Sequence, residues 1–323
     1  MDPSPAHPPG DLLNWLELPR DVTASILLKL GAIEILTSAQ KVCSLWRNIC
    51  KDPSMWRAVD MRNLGDFDIN IDYDLEKMCQ HAVDRSGGEL VDINIEHFGT
   101  DELLKYITES SSKLRRLRLV SCYSISDKGL SEAAGKLPLL EELDISYCSL
   151  SKESLEAVGR CCPLLKSLKF NNHGYRRPRI ECDEDALAIA ESMPELRHLQ
   201  LFGNKLTNDG LLAVLGGCPK IESLDLRHCF NVTLTGDLGR RCADSIKHLR
   251  SPCDSTSDYE FDTEIHDSVS FDEDSASEFS DIDYFSDDDW YYELSGDSDS
   301  SDFDMYENGD FFDLSDHGEF IFD

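Results

Sequence analysis

The sequence predicts an α/β chain made of a small N-terminal helical unit, a solenoid with parallel strands inside and helices outside, and a disordered acidic tail. Three observations lead to this prediction. A leucine-rich pattern recurs at a regular spacing in the middle of the chain, the stretch 14–60 instead carries apolar residues at helical spacing, and the stretch 251–323 contains no Lys or Arg. The predicted parts are a disordered N-terminus (1–13), the helical unit (14–60), a linker and capping helix (61–88), about six or seven repeats (89–250) and the tail (251–323).

The repeats define the central domain. The pattern L-x-x-L-x-L starts at Leu90, Leu114, Leu140, Leu165, Leu196 and Ile221, with a shortened copy at Ile246. This spacing of roughly 25 residues matches the leucine-rich-repeat signature. Alternating apolar residues predict a short strand with one buried face, and the helical spacing that follows, as from Leu130 to Leu137, predicts a helix in each unit. Because one such unit cannot bury its own apolar face, we expect the units to stack into a curved solenoid.

Helix ends and one further helix can also be placed from the sequence. Asp127, Ser151 and Thr207 are predicted N-caps of three repeat helices. In the linker, apolar residues keep one helical face, which predicts a helix that caps the solenoid and joins it to the N-terminal unit. These residues are Leu75, Met78, Cys79, Ala82 and Val83.

The twelve cysteines do not favour a disulfide framework, a metal site or catalysis. The chain begins without an apolar signal segment, contains no C-x2-C pair, and places Cys122, Cys148 and Cys229 at one position of the repeat. We therefore expect reduced, buried thiols and no metal or cofactor. No Ser/His/Asp triad signature, P-loop or G-x-G-x-x-G motif is present, so the chain is predicted to be non-enzymatic, with no catalytic residues.

The charge distribution excludes other classes of function. Residues 251–323 hold 26 of the 63 acidic residues, whereas all 31 basic residues lie before them. Without a strongly basic surface, we expect no binding to nucleic acid or to an anionic membrane. No apolar run approaches the roughly 18 residues of a membrane span. These features predict a location in the nucleus or the cytoplasm, or both.

Linked motifs occur between residues 14 and 60. They are Leu18-Pro19, I-L-x-x-L at 26–30, V-C-x-x-W at 42–46 and D-P-x-x-W at 52–56. Together they resemble the F-box family, and the match covers most of this stretch. Because repeats follow directly, the chain resembles plant F-box/leucine-rich-repeat proteins of the Skp-interacting-partner type. Three further segments add to this resemblance. They are the tract 52–65, the sequence S-D-K-G-L at 126–130 and the Arg-Arg-Pro-Arg run at 176–179.

The resemblance implies a substrate-recognition subunit of a Skp–cullin–F-box (SCF) ubiquitin ligase. The F-box would dock on a Skp-type adaptor, and through it on a cullin, while the repeats hold an unknown protein substrate. Adaptor-facing candidates, carried over by position, are Leu18, Pro19, Val22, Ile26, Leu27, Val42 and Trp46. The alternative for each is an ordinary place in the helical core. A competing function, from another class, is a repeat-plus-acidic-tail chaperone for basic partners such as histones.

Substrate contacts are predicted on the strand side and in one insertion. Outward strand positions alternate in charge between neighbouring strands, which indicates either cross-strand ion pairs or a polar recognition surface with Phe202 as an aromatic anchor. The repeat that starts at Leu165 carries an insertion at 171–179, predicted to contact an acidic or phosphorylated partner, to remain a solvated loop or to dock on the acidic tail. The candidates are Arg116, Arg118, Lys169, Tyr175, Arg176, Arg177, Arg179, His198, Phe202 and Arg227.

The tail combines 26 acidic residues with 14 serines and many aromatic residues. Such charge density predicts disorder. An acidic residue three positions after a serine is the preference of acidophilic kinases. The candidate phosphorylation sites chosen on this pattern are Ser270, Ser275, Ser280, Ser286 and Ser301. Regulation, solubility, a basic partner and the chain's own arginines all remain open as roles for the tail.

Overall fold

One continuous parallel sheet runs through the described part of the chain. The computed structural model describes residues 18–62, 74–177, 180–261, 263 and 266–267. Eight strands follow one another along the sheet, and consecutive repeats pair in register, with Ile93, Leu117 and Leu143 opposite one another. They are Ala58–Asp60 (β1), Asp92–Glu96 (β2), Arg116–Val120 (β3), Glu142–Ser146 (β4), Ser167–Asn171 (β5), His198–Gln200 (β7), Ser223–Asp225 (β8) and His248–Arg250 (β9), while Tyr175–Arg177 (β6) and His266–Asp267 (β10) form a separate pair. The large sheet is that of the predicted leucine-rich-repeat solenoid.

Helices alternate with the strands along the repeats, and three more precede them. The described helices are Arg20–Leu27 (α1), Ala32–Thr37 (α2), Ser44–Cys50 (α3), Leu75–Arg85 (α4), Asp101–Ser110 (α5), Asp127–Ala134 (α6), Lys152–Cys161 (α7), Glu184–Ser192 (α8), Asn208–Gly217 (α9) and Gly236–Ser245 (α10). Short 3₁₀ turns connect α1 to α3 and follow α3. The helices α1–α3 are those predicted for the N-terminal unit, and the predicted N-terminus 1–13 lies outside the described residues.

The core is a set of aligned apolar rows along the repeats. The second residue of strands β2 to β5, β7 and β8 is leucine or isoleucine and is buried. Cys122 and Cys229 are fully buried beside these rows, as predicted. Burial also raises the pKa of Cys218 to about 11 and that of Cys162 to about 12, so both thiols stay neutral at physiological pH.

The N-terminal unit and the solenoid share this core. Trp56 is buried and donates its indole N–H to the carbonyl oxygen of Cys50 at 2.8 Å. The guanidinium of Arg85, at the end of α4, lies 5.4 Å from the Trp56 ring centroid and donates to Gln40 at 2.9 Å. The predicted apolar face of α4 is confirmed, since Cys79, Ala82 and Val83 are buried. The last residues of the predicted N-terminal unit form β1, which pairs with β2 and so joins the unit to the sheet.

Side-chain caps begin most repeat helices. Ser151 and Thr207 accept N–H groups from the first turns of α7 and α9, which confirms two predicted caps. The prediction for Asp127 is wrong, because Ser126 caps α6 and Asp127 is its first helical residue. The Asp127 carboxylate instead accepts from both the amide and the hydroxyl of Ser151 in the next repeat, each at 2.8 Å.

The same contact between repeats recurs twice. The Asp101 carboxylate accepts hydrogen bonds from the amide and the hydroxyl of Ser126. The Asp183 carboxylate accepts them from the amide and the hydroxyl of Thr207, both at 2.7 Å. Each capping side chain is therefore fixed by an aspartate of the preceding repeat. Charge-assisted hydrogen bonds of this kind are stronger than neutral ones, so they reinforce the stacking of the apolar rows.

The described chain continues past the predicted repeat boundary at residue 250. Residues 251–261 and Thr263 extend the folded part, and β10 pairs in parallel with β6 in the predicted insertion. The rest of the predicted tail, with its five candidate phosphorylation sites, lies outside the described residues. Among the described helices, none is long and apolar enough to span a membrane alone, although the bent pair 20–30 and 32–41 passes together by length and composition.

Two glycines of α9 should respond oppositely to alanine. A Cβ at Gly210 would lie 2.2 Å from an Asp183 oxygen, whereas nothing lies within 4 Å of the corresponding position at Gly216. Because Asp183 is held by Thr207, it cannot move without losing two hydrogen bonds. We expect Gly210→Ala to lower the free energy of unfolding by about 1–3 kcal/mol, and Gly216→Ala to leave it unchanged or raise it by up to about 1 kcal/mol. Chemical denaturation checks this, and equal stability of the two variants would contradict the inter-repeat contact.

Asp185 should make stability depend on pH. Burial raises the pKa of its carboxyl to about 6, and the neighbouring Asn204 offsets this only in part. Since the folded-state pKa is above the unfolded value, the folded state favours the protonated form, and stability falls as pH rises from about 4 to about 6. We expect Asp185→Asn to stabilise the protein by about 1–2 kcal/mol at pH 7.5 and by much less at pH 4. Thermal denaturation at both pH values measures this, and a pH-independent effect would refute it.

Candidate functional site

The N-terminal unit exposes several apolar side chains. Val22, Leu28, Leu30 and Val42 are each at least 40% exposed, and Pro19 is also exposed before α1. Clusters of exposed large apolar side chains indicate a protein-binding surface rather than a solvated one. We call these five residues the apolar face.

The predicted adaptor residues divide between this face and the core. Pro19, Val22 and Val42 belong to the apolar face, while Leu18, Ile26 and Trp46 are half-buried. Leu27 is fully buried and is therefore a core residue, so its prediction as an adaptor contact is corrected.

Two residues of the apolar face, Leu28 and Leu30, were not among the predicted contacts. The α-helix ends at Leu27, and a 3₁₀ turn follows up to Gly31, which has a φ of 83°. This change of backbone turns Leu28 and Leu30 outward. The apolar residues keep the spacing of an α-helix through residue 30, so the sequence does not show where the 3₁₀ turn begins. Gly31 does indicate that the helix ends there.

A cleft of about 480 Å³ opens beside α1. Its walls include Ala24, Ile49 and Met55, and Arg20 pairs with Asp52 across it at 2.8 Å. The Asp52 carboxylate also accepts the Ser54 amide, and this hydrogen bond, with help from Arg20, lowers the pKa of Asp52. The first residue of the D-P-x-x-W motif thus fixes the turn that carries Met55 and Trp56.

The concave side of the sheet carries ion pairs between neighbouring strands. Arg116 pairs with Asp92 at 2.7 Å, while Arg118 and Lys169 both pair with Asp144, at 3.3 and 3.0 Å. These contacts agree with the interpretation of the alternating charges as cross-strand ion pairs. They leave guanidinium groups fixed on the strand side, where a second acidic group can approach.

Residues 258–261, Asp-Tyr-Glu-Phe, lie on this concave side and are called the DYEF segment. The ring of Tyr259 stacks on Phe202 with centroids 3.8 Å apart and planes 9° apart. Phe261 meets the edge of Tyr147 at 5.2 Å, and the Arg118 guanidinium lies 5.4 Å from its centroid. Burial, followed by contact with Tyr147, raises the pKa of Tyr259. Both aromatic side chains are therefore part of the packed structure.

The acidic side chains of the DYEF segment contact arginines of the sheet. Asp258 pairs with Arg227 at 2.6 Å and with Arg250 at 2.8 Å. Glu260 pairs with Arg118 at 2.8 Å and approaches Arg62 to within 3.6 Å. Burial opposes the ionisation of Asp258, but its hydrogen bonds and the two arginines outweigh this effect and lower its pKa. The segment thus crosses the concave side from β8 and β9 to β3.

Two predicted substrate contacts are covered by this segment. Phe202 is 2% exposed and Arg227 is 4% exposed, because Tyr259 and Asp258 lie on them. Both side chains face the concave side as expected, but the chain's own segment covers them, whereas His198 is exposed. Arg250 and Arg62 contact the segment although neither was among the candidate contacts.

Tyr147 is a further contact that the apolar periodicity does not reveal. It follows β4 with a φ of 57°, and His97, Ser121 and His228 have positive φ at equivalent strand ends. This left-handed turn directs the side chain toward the concave rim, where Tyr147 stacks on His173 at 4.5 Å. The sequence signal for this contact is the recurrence of the position after β2, β3, β4 and β8.

The insertion contributes backbone pairing and the side chain of Arg176. Arg176 lies 5.1 Å from the centroid of Phe230, so it packs on the solenoid. Tyr175 and Arg177 belong to β6, which pairs with β10 of the tail, while Arg179 lies outside the described residues. Of the three alternatives for this loop, docking on the chain's own tail agrees with the structure.

A groove of about 660 Å³ continues the concave site beyond Asp258. Its lining includes Lys169, His198, Lys247 and Arg250, which lie on strands β5, β7 and β9 or directly before them. Within the residues described, no group of three or more His, Cys, Asp or Glu side chains is arranged to hold a metal ion. The arrangement favours recognition of an acidic polypeptide through charge and aromatic stacking.

Removing the Tyr259 ring should release the DYEF segment. We expect Tyr259→Ala to speed amide hydrogen exchange at residues 255–261 by about tenfold or more, because stacking and ring burial are lost. Tyr123→Ala is a matched control, since Tyr123 is 56% exposed. Hydrogen-exchange mass spectrometry measures both variants, and unchanged exchange in Tyr259→Ala would contradict stable docking.

Comparison with known proteins identifies the same two regions. The F-box-like family model matches residues 15–62, the model for the repeats of "FBD-associated F-box protein At5g56370" matches 75–184, and a leucine-rich-repeat model matches 193–215. F-box protein SKIP19 of Arabidopsis thaliana is 56% identical over 94% of this chain and 98% of its own length. Putative F-box/LRR-repeat protein 23 of the same plant is 57% identical over 76% of this chain and 54% of its own length. A yeast Rad7–Elc1 structure matches with 16% identity and a TM-score of 0.37 over 59% of this chain and 60% of that chain, too distant to bear on function.

Proposed function

The chain belongs to the plant F-box/leucine-rich-repeat family, and we propose that it is the substrate-recognition subunit of an SCF-type ubiquitin ligase. In this role the N-terminal unit docks on a Skp-type adaptor that connects to a cullin, and the repeats hold a protein substrate. Ubiquitin transfer belongs to partner subunits, so the chain itself needs no catalytic residue. We place this activity in the nucleus or the cytoplasm.

The observation that carries the proposal is the apolar face of the F-box unit. Val22, Leu28, Leu30 and Val42 are all exposed, although the same unit buries Leu27 and Trp56 in its core. A unit that can bury apolar residues but leaves several large ones outside favours a protein partner at that surface. Protein interfaces commonly have such an apolar centre with a polar rim, and Arg20 and Asp52 provide polar groups beside it.

The concave side of the repeats supports the second half of the role. Its fixed arginines and the ring of Phe202 form a surface suited to polypeptide recognition that is carried by the repeat strands, whereas the apolar face belongs to residues 19–42 of the F-box unit. Separate surfaces allow adaptor and substrate to bind together. No described contact favours the chaperone alternative, because Asp258 and Glu260 pair with the chain's own arginines.

Charge on the apolar face should abolish adaptor binding. We expect Val22→Glu with Val42→Glu to weaken binding to a purified Skp-type adaptor by about a hundredfold or more, because two charges would be buried without partners. Both positions are exposed, so the thermal midpoint should change by less than about 2 °C. Isothermal titration calorimetry measures the affinity.

Leu212→Glu serves as the matched control, since Leu212 on α9 is as exposed as Val22 and should leave adaptor binding unchanged. Leu18→Ala with Pro19→Ala tests the entrance to α1 and should also remove adaptor co-purification. Full adaptor affinity in the Val22/Val42 variant would reject the apolar face as the docking surface.

A further inference from the structure

The DYEF segment contacts the concave side through all four of its side chains. Asp258 and Glu260 each approach two arginines, Tyr259 stacks on Phe202, and Phe261 packs between Tyr147 and Arg118. A chain segment that merely covers a surface does not need such side-chain complementarity. The contacts instead have the composition of a recognition site, with aromatic anchors at the centre and charge-assisted pairs around them.

The receiving side chains are held in place by the solenoid itself. Arg227 donates through Nε and Nη2 to the Asp225 carboxylate at 3.0 and 2.7 Å, and Arg118 pairs with Asp144 on the neighbouring strand. The hydrogen bonds with Asp225 are the main cause of the raised pKa of Arg227, so this guanidinium remains charged. The repeats therefore preorganise the site, so an acidic ligand can bind without the cost of ordering these side chains.

We propose that the concave side around Phe202, Arg118 and Arg227 recognises an acidic peptide segment with aromatic side chains on the protein substrate, and that the DYEF segment occupies this site in the free chain. This inference rests on the proposed function as a substrate receptor. The DYEF segment is an intramolecular competitor, and a substrate carrying alternating acidic and aromatic residues displaces it. The groove lined by Lys169, His198 and Lys247 beyond Asp258 gives a longer acidic ligand contacts that the DYEF segment does not make.

Position along the chain favours occupation by the segment. Only the stretch 251–257 separates Arg250, the end of β9, from Asp258. A tether this short gives the segment an effective concentration on the order of millimolar at the site. A free ligand displaces the segment only at a higher concentration or with a higher affinity. The parallel pairing of β10 with β6 also fixes the chain on the far side of the segment.

The test measures peptide binding to the full-length chain. The probe is a fluorescein-labelled peptide with the sequence of residues 255–263, and fluorescence anisotropy gives its dissociation constant. We expect Tyr259→Ala with Phe261→Ala to bind the peptide at least about tenfold more tightly than the wild-type chain, which corresponds to about nine-tenths occupation of the site by the native segment. Tyr123→Ala should behave as wild type, and a peptide with alanine at both aromatic positions should bind no variant.

Equal peptide affinity for the wild-type chain and the Tyr259/Phe261 variant, or binding to neither, overturns the proposal. If the double variant does not fold, Asp258→Asn with Glu260→Gln provides the same test with side chains of unchanged size and should again bind more tightly than wild type. Adaptor affinity is measured on the same preparations. Retained adaptor binding without a difference in peptide affinity refutes this inference alone, whereas a wild-type chain that binds no adaptor refutes the proposed function.

Discussion

The stacking of one repeat on the next, in register, is the constraint on which the rest of the structure depends. A single strand–helix unit leaves its apolar side open, so Leu117 is buried only because Ile93 and Leu143 lie against it on both sides. The aspartate-to-cap contacts strengthen this stacking at the helix side. With the register fixed, equivalent residues of successive repeats become neighbours, which brings Arg118, Asp144 and Lys169 together on the concave side.

Local sequence rules predict most of this architecture because they reflect the same constraint. The strand positions, the helix faces and the caps at Ser151 and Thr207 follow from periodicity and capping chemistry. The failures have local physical causes. Asp127 is a good N-cap residue by type, but Ser126 takes that role and frees Asp127 to hold the next repeat. The strand β1 has only three residues and follows a 3₁₀ turn, so it is too short to show an alternating apolar pattern in the sequence.

The functional surfaces are less predictable because they depend on where the chain returns. Phe202 has the correct orientation for an exposed anchor, and the sequence identifies it as such. Nothing in the repeat pattern indicates that Tyr259, which lies beyond the last repeat, will cover it. When the tail is treated as one acidic segment, the aromatic side chains that allow its first residues to pack on the solenoid are overlooked. In the F-box unit, the backbone change at Leu28 decides exposure, while composition alone suggests core.

The burial of Arg227 under the DYEF segment explains why the segment that covers this part of the concave side carries an acidic group. Its side chain is only 5% exposed, and the Asp225 carboxylate lies beside it on the same strand side. A nearly buried guanidinium with unsatisfied N–H groups is costly, so the carbonyl oxygen of Ser255 and the Asp258 carboxylate complete its hydrogen bonds at 3.0 and 2.6 Å. If the DYEF segment leaves, water or another acidic chain has to replace these groups. The net charge of −32 therefore includes carboxylates with a definite structural task, and exchange of one acidic segment for another is the change that this site accommodates at least cost.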